Sequence, residues 1–138
     1  MTEHQNQATS EALAAVKTIL VVEDDRSIAS FIVEAIKQET SYQALFAFDG
    51  HHALKLLYDL KPDLVLLDYN LPRMNGLDLY DHIHAIKELE HIPALLISAR
   101  PPLEEAKKRK LTCLKKPVAL DELLQAIEKL LTQGWVSW

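Results

Sequence analysis

Two short runs of large aliphatic residues, Ile19-Leu-Val-Val and Leu64-Val-Leu-Leu, are each followed at once by acid, Glu23-Asp-Asp in the first case and Asp68 in the second. A run of that length with no polar alternation reads as a strand covered on both faces. Such strands belong to parallel sheets, whose neighbours need crossovers long enough to hold a helix. Strand-length and helix-period segments alternate through the rest of the chain in the same way. Thr18–Val22 is the first strand, and Ile28, Phe31, Ile32, Ala35 and Ile36 form the stripe of a first helix that Asp25 or Ser27 can cap. Residues 42–48 read as a second strand, and Ala53, Leu54, Leu57 and Leu60 as a second helix ended by Pro62. The third strand occupies 64–67; after a loop with Pro72 and Gly76, Leu77, Tyr80, Ile83 and Ile86 mark a third helix, and Pro93 leads into a fourth strand at 94–97. The last cycle is less regular: 103–110 is short and almost wholly charged, and 111–114 is a weak strand. Leu120, Leu123, Leu124, Ile127, Leu130 and Leu131 then give a strong closing helix. Five strands alternating with about five helices predict a three-layer α/β fold, a parallel sheet with right-handed crossovers and helices on both faces.

The 138 residues fit one domain, with a polar leader over 1–17, a folded unit over 18–132 and a tail over 133–138 that carries Trp135 and Trp138. Fifteen basic against twenty acidic residues give a net charge of -5, which argues against a nucleic-acid surface. Cys113 is alone and cannot form an internal disulfide, as suits a reducing compartment. The apolar runs are too short to span a bilayer and the amino terminus has no signal-peptide pattern, so a cytoplasmic protein with no membrane contact is expected.

In an open parallel sheet, ligands bind outside the carboxyl ends of the strands. The residues at those ends are Glu23, Asp24 and Asp25 after the first strand, Asp68 after the third, Ser98 after the fourth, and Lys115 and Lys116 after the fifth. Singly each has an ordinary explanation: a turn-forming acid, a turn hydroxyl, a helix-capping acid, a surface lysine. Their recurrence at equivalent places in successive βα units points instead to one shared site. Carboxylates crowded there repel one another unless a cation lies between them, and an all-oxygen ligand set suits magnesium. A lysine and a hydroxyl on the same rim supply the electrostatic stabilisation that phosphoryl transfer requires, with Asp68 as the nucleophile that becomes an acyl phosphate.

The segments Ile19-Leu-Val-Val-Glu-Asp-Asp and Asp68-Tyr-Asn-Leu-Pro-Arg-Met-Asn-Gly-Leu, with the pairs Ser98-Ala99 and Lys116-Pro117, resemble the receiver domain of bacterial two-component response regulators. The resemblance covers roughly 17–132 and implies a doubly wound, five-stranded flavodoxin-like sheet of order 2-1-3-4-5. It implies Asp68 as phosphoacceptor, Asp24 as a direct magnesium ligand and Glu23 as an outer one, with Asp25 left to cap the first helix. Asn70 would complete the metal site through its backbone carbonyl and face the attacking water with its side chain. Ser98 would be the switch hydroxyl, Ala99 the small residue that admits the phosphoryl group, and Lys116 the conserved-type lysine, preceding a cis bond to Pro117. The implied partners are a sensor histidine kinase or a phosphotransfer protein upstream and an unidentified protein target downstream, and a homodimer is compatible with the pattern. The protein would not be an enzyme but a signalling switch that assists its own phosphoryl transfer and dephosphorylation, with Arg100 and Asn70 tuning the lifetime of the acyl phosphate.

The chain departs from the resemblance in two places. Cys113 stands where an aromatic switch residue is usual, and 18 positions separate Ser98 from Lys116, about one helical turn fewer than usual, with Pro101-Pro102 in the loop. A shortened fourth helix is therefore expected, and the usual inward swing of an aromatic ring behind the hydroxyl has no ring to use. These departures motivate an alternative, a receiver-like interaction module that works without phosphorylation. A flavin or nucleotide binder is disfavoured, because three acids occupy the place of a phosphate-binding loop. An aspartyl-phosphate hydrolase is disfavoured because Asn70 stands where a second acid would be needed. His51, His52, His82, His84 and His91 show no metal-ligand spacing and are expected to face solvent or cap helices.

Overall fold

The computed structural model describes residues 16–134; most of the expected leader, and Trp135 and Trp138 of the tail, lie outside them. Five strands, β1 (Thr18–Val22), β2 (Gln43–Ala47), β3 (Leu64–Asp68), β4 (Ala94–Ser98) and β5 (Thr112–Lys115), form one parallel sheet in the order β2-β1-β3-β4-β5. Five α-helices, α1 (Arg26–Glu39), α2 (Gly50–Asp59), α3 (Gly76–His84), α4 (Leu103–Lys108) and α5 (Leu120–Gln133), cover it, with a 3-10 turn at Lys87–Leu89. The doubly wound architecture and strand order are those expected. β3 and β4 each run one residue further than the apolar pattern, so that Asp68 and Ser98 end their strands, and β5 begins one residue later.

Alternation along the strands divides the interior in two. Ile19, Val21, Leu64, Leu66, Leu95 and Ile97 point to the side covered by α1 and α5, where they meet Ile32, Val33, Ile36, Leu123 and Ile127. Leu20, Val22, Val65, Leu67 and Leu96 point to the other side, where Ala53, Leu57, Leu79, Ile83 and Ala106 come from α2, α3 and α4.

Short polar side chains start α1, α2 and α3. Asp25 accepts from the backbone N–H groups of Ser27 and Ile28 at 2.9 and 3.1 Å, Asp49 from His52 at 2.8 Å, and Asn75 from Asp78 at 2.8 Å. The Asp25 cap is one of the two expected. Thr40 closes α1, its hydroxyl donating to the Ile36 carbonyl at 2.6 Å.

Helix phase differs from the sequence reading in two helices. In α1, Ile32, Ala35 and Ile36 of the expected stripe are buried and are joined on the sheet by Ala29 and Val33, while Ile28 and Phe31 stand 43% and 63% exposed. Both phases of this helix carry apolar residues; Ala29 is the smaller side chain and lets the helix approach the sheet closely. In α3 the buried residues are Gly76, Leu79 and Ile83, with Leu77 and Tyr80 only half-buried. The fourth helix is short, as expected: α4 has six residues, of which Ala106 alone is buried.

Candidate functional site

Because all five strands run the same way, their carboxyl ends share one edge, and β1, β3, β4 and β5 deliver the chemistry there. Glu23 follows β1, held in the sheet by its backbone N–H to the Ala47 carbonyl at 3.0 Å. Asp68 ends β3 and Ser98 ends β4, both almost fully buried. Lys116 follows β5, its backbone N–H donating to the Ser98 carbonyl at 2.9 Å, and the Lys116–Pro117 bond is cis. Lys115 ends β5 as an exposed residue, which leaves Lys116 as the lysine of the site.

Lys116 Nζ lies 2.7 Å from Asp68 Oδ1. The approach is that of an ion pair rather than a directed hydrogen bond, and this buried oxygen has no other donor among the described residues. One oxygen from each of Glu23, Asp24 and Asp68 lies within 4.8 Å of the others, with Glu23 and Asp68 buried and Asp24 exposed. Burial foremost, then the nearby charge of Asp68 and a side-chain hydrogen bond with Asp24, raise the Glu23 carboxyl to about 7, against the opposing pull of the Asp25 N–H and Lys116. A buried carboxylate oxygen without a donor, beside two further carboxylates, is what a hard divalent cation satisfies, and the exposed side of Asp24 leaves room for retained water. The residues present therefore fit magnesium. Asn70 lies two residues beyond Asp68 in an exposed loop on the same edge.

Ser98 Oγ accepts the Arg100 backbone N–H at 3.1 Å, so the hydroxyl proton is left to donate elsewhere. Ala99 and Arg100 are exposed. Gly76 makes the loop after β3 possible: its N–H donates to the Tyr69 carbonyl at 2.9 Å, and a Cβ at this position would lie 2.7 Å from the Asp68 carbonyl oxygen. On β5, Cys113 is half-buried among apolar side chains on the α2, α3 and α4 side of the sheet, and burial pushes its thiol up to about 11. His52 acts as a capping residue, its Nδ1 accepting the Phe48 N–H at 3.1 Å, whereas the half-buried His84 ring lies between the carbonyls of Tyr80 and Ile92.

One feature of the site escaped the sequence reading. A cavity of about 550 Å³ opens from Asp68 and Lys116 towards α1 and α5, walled by Ile28, Phe31, Pro117 and Leu120. The signal was the double apolar phase of α1: two large side chains left over at its amino-terminal end, next to the acids, have no place in the core.

Comparison with known proteins gives a consistent result. The family described as Response regulator receiver domain matches residues 19–128. The sporulation initiation phosphotransferase F of Bacillus subtilis is 32% identical over 117 residues, which span 82% of this chain and 92% of that protein. The uncharacterized transcriptional regulatory protein YcbL of the same organism is 38% identical over 81 residues, or 59% of this chain. There the match spans 34% of the relative's length, and in the sensor histidine kinase TmoS of Ectopseudomonas mendocina, 36% identical over 60% of this chain, only 8%. Among solved structures, the receiver domain of the Francisella response regulator 1452 superposes with a TM-score of 0.75 at 28% identity, covering 85% of this chain and 98% of that one. The chemotaxis protein CheY4 of Vibrio cholerae shares the fold, with a TM-score of 0.77 at 24% identity over 83% of this chain and 98% of its own.

Proposed function

The chain belongs to the response regulator receiver family, and from that premise we propose that Asp68 accepts a phosphoryl group from a histidine kinase or phosphotransfer protein and that the phosphorylated protein signals by contact with another protein. The observation that carries the proposal is the buried Asp68 Oδ1, which has Lys116 Nζ at 2.7 Å and two further carboxylates beside it but, among the described residues, no hydrogen-bond donor of its own. An Asp68 oxygen attacks phosphorus as the bond to the donor's histidine nitrogen breaks, and the electron pair of that bond stays on the imidazole. The product is an acyl phosphate. Lys116 is placed to meet one phosphoryl oxygen and the Ser98 hydroxyl, once it swings to donate, another. Glu23, Asp24 and Asp68, with the Asn70 carbonyl, would hold magnesium, which neutralises charge that builds on the transferring group. Asn70 and Arg100, both exposed, would tune the access of a hydrolytic water to the acyl phosphate. On this reading the protein assists its own phosphorylation and dephosphorylation and has no separate substrate.

The exposed Ile28 and Phe31 beside the cavity support a protein donor, because they provide apolar surface within reach of the reacting aspartate. Among the described residues no helix is long and apolar enough to cross a membrane. The test is incubation with acetyl phosphate and magnesium, followed by intact mass. One added phosphoryl group is expected in the wild type and none in Asp68→Asn or in EDTA. An unmodified wild type that also fails to bind beryllofluoride would refute the proposal and favour a module that works without phosphorylation.

A further inference from the structure

α4 is attached to the domain in an unusual way. Most helices on a sheet are held by an apolar stripe, but α4 buries only Ala106, and Leu103 at its start is 68% exposed. Its start has no side-chain cap, since Pro102 occupies that place. What grips it lies at the other end. Arg109, the residue after α4, forms a two-pronged ion pair with Asp81 of α3, Nε to Oδ1 at 2.8 Å and an Nη to Oδ2 at 2.9 Å. Its other Nη reaches Glu105 Oε2 and the Glu105 carbonyl, both at 2.9 Å, and its own carbonyl accepts the Tyr80 hydroxyl at 2.9 Å. Two residues of α3 thus hold both the backbone and the side chain of the residue that ends α4. A bidentate arginine fixes orientation as well as distance, so the contact sets where α4 sits.

The opposite end of α4 leads directly to the phosphoryl site. Ser98 Oγ is bonded to the Arg100 N–H, and Pro101 and Pro102, with restricted φ, join Arg100 to the first residue of the helix. A hydroxyl that turns to meet a phosphoryl oxygen must strain or release the Arg100 N–H, and the stiff proline pair passes that displacement to a helix with almost no core of its own.

We propose that Arg109, gripped by Asp81 and Tyr80, is a latch that holds α4 in its resting position and opposes the movement of the Ser98–Arg100 segment onto the phosphoryl group. The latch gives this chain a two-state element where Cys113 leaves no ring to swing. It rests on the proposed function, since phosphorylation is what works against it. Loosening the latch stabilises the engaged state relative to the resting one and so tightens ligand binding at Asp68. Asp81 is half exposed and Arg109 a quarter exposed, which limits the change to about two- to fivefold.

The experiment compares wild type, Asp81→Asn and Tyr80→Phe, the last of which removes only the hydroxyl. Beryllofluoride affinity at saturating magnesium is measured by calorimetry, and amide hydrogen exchange of residues 99–111 is followed with and without the ligand. In the wild type, exchange over 103–109 rises on beryllofluoride binding. In both variants it is already raised without ligand, and beryllofluoride binds about two- to fivefold tighter. Variants with wild-type affinity and wild-type exchange overturn the latch while leaving the phosphoacceptor reading intact, as does weaker binding in a folded variant. A wild type that does not bind beryllofluoride removes the reading on which the latch rests. If Asp81→Asn fails to fold, Tyr80→Phe decides by the same readouts.

Discussion

Gly76→Ala sets two effects of opposite sign against each other. Gly76 is the first residue of α3, and replacing glycine by alanine in a helix is worth roughly 0.5–1 kcal/mol in favour of folding when nothing obstructs the methyl. Here the methyl would lie 2.7 Å from the Asp68 carbonyl oxygen, 2.7 Å from Leu96 Cδ1 and 3.1 Å from Tyr69 Cα. Two of these atoms are backbone, and Leu96 is fully buried beneath them, so the strain has no flexible side chain to absorb it. Overpacking of this kind costs about 1–3 kcal/mol, and with contacts so short the upper half of that range applies. The steric effect wins, leaving a net loss of about 1–2.5 kcal/mol and a fall in Tm of roughly 4–10 °C for a domain of this size. The backbone that must yield carries Asp68, so magnesium-dependent beryllofluoride binding should weaken as well. Gly50→Ala is the internal control: its methyl meets Met74 Sδ at 2.8 Å, the end of a side chain that can turn aside, and its Tm should stay within a few degrees of wild type. Thermal unfolding followed by circular dichroism, with calorimetry for the ligand, measures both. A Gly76→Ala protein as stable as wild type, with unchanged affinity, would refute the close-approach reasoning.

The raised Glu23 carboxyl makes magnesium binding depend on pH: below about 7 the cation competes with a proton, so affinity should climb between pH 5.5 and 7.5 and then level off, as calorimetry in matched buffers would record. The same shift sets the sign for stability without metal. A carboxyl raised from 4.5 to about 7 contributes stability that is present below 4.5 and lost as pH rises through 7, a loss that added magnesium should reverse. Phe31→Ala removes exposed apolar surface beside Asp68 and should slow transfer from a protein phosphodonor while leaving acetyl phosphate turnover within twofold; equal slowing of both would place Phe31 in the chemistry instead. Cys113, with its thiol pushed up to about 11, should react with iodoacetamide at pH 8 at least tenfold more slowly than free cysteine, which mass spectrometry can follow.

The strand-end chemistry was legible because it is encoded locally. A buried parallel strand shows as an uninterrupted aliphatic run, and its carboxyl end is the next polar residue, so Glu23, Asp68 and Ser98 could be read off without knowing where the helices go, whereas the weaker β5 pattern left Lys115 and Lys116 both open and the family resemblance chose Lys116. The short α4 was legible for a similar reason, since too few residues lie between Ser98 and Lys116 for a longer one. The phase of α1 was not, because Ile28 and Phe31 fit one helical stripe and Ala29 and Val33 another, and only contact with the sheet selects between them. The hub around Arg109 was equally hidden: Asp81 and Arg109 are 28 residues apart and read as two ordinary surface charges until α3 and α4 lie side by side.

By itself, then, the sequence determined the layered α/β architecture and the set of groups gathered on one edge of it, since residue periodicity and strand termini depend on neighbours within a turn or a single strand. Only the tertiary structure decided which apolar side chains were left facing outward beside Asp68, that Gly76 must lack a side chain, and that α4 hangs from Arg109. Each of these depends on how closely separate segments approach, a distance set by the packing of whole elements against one another and not by any one segment's own pattern.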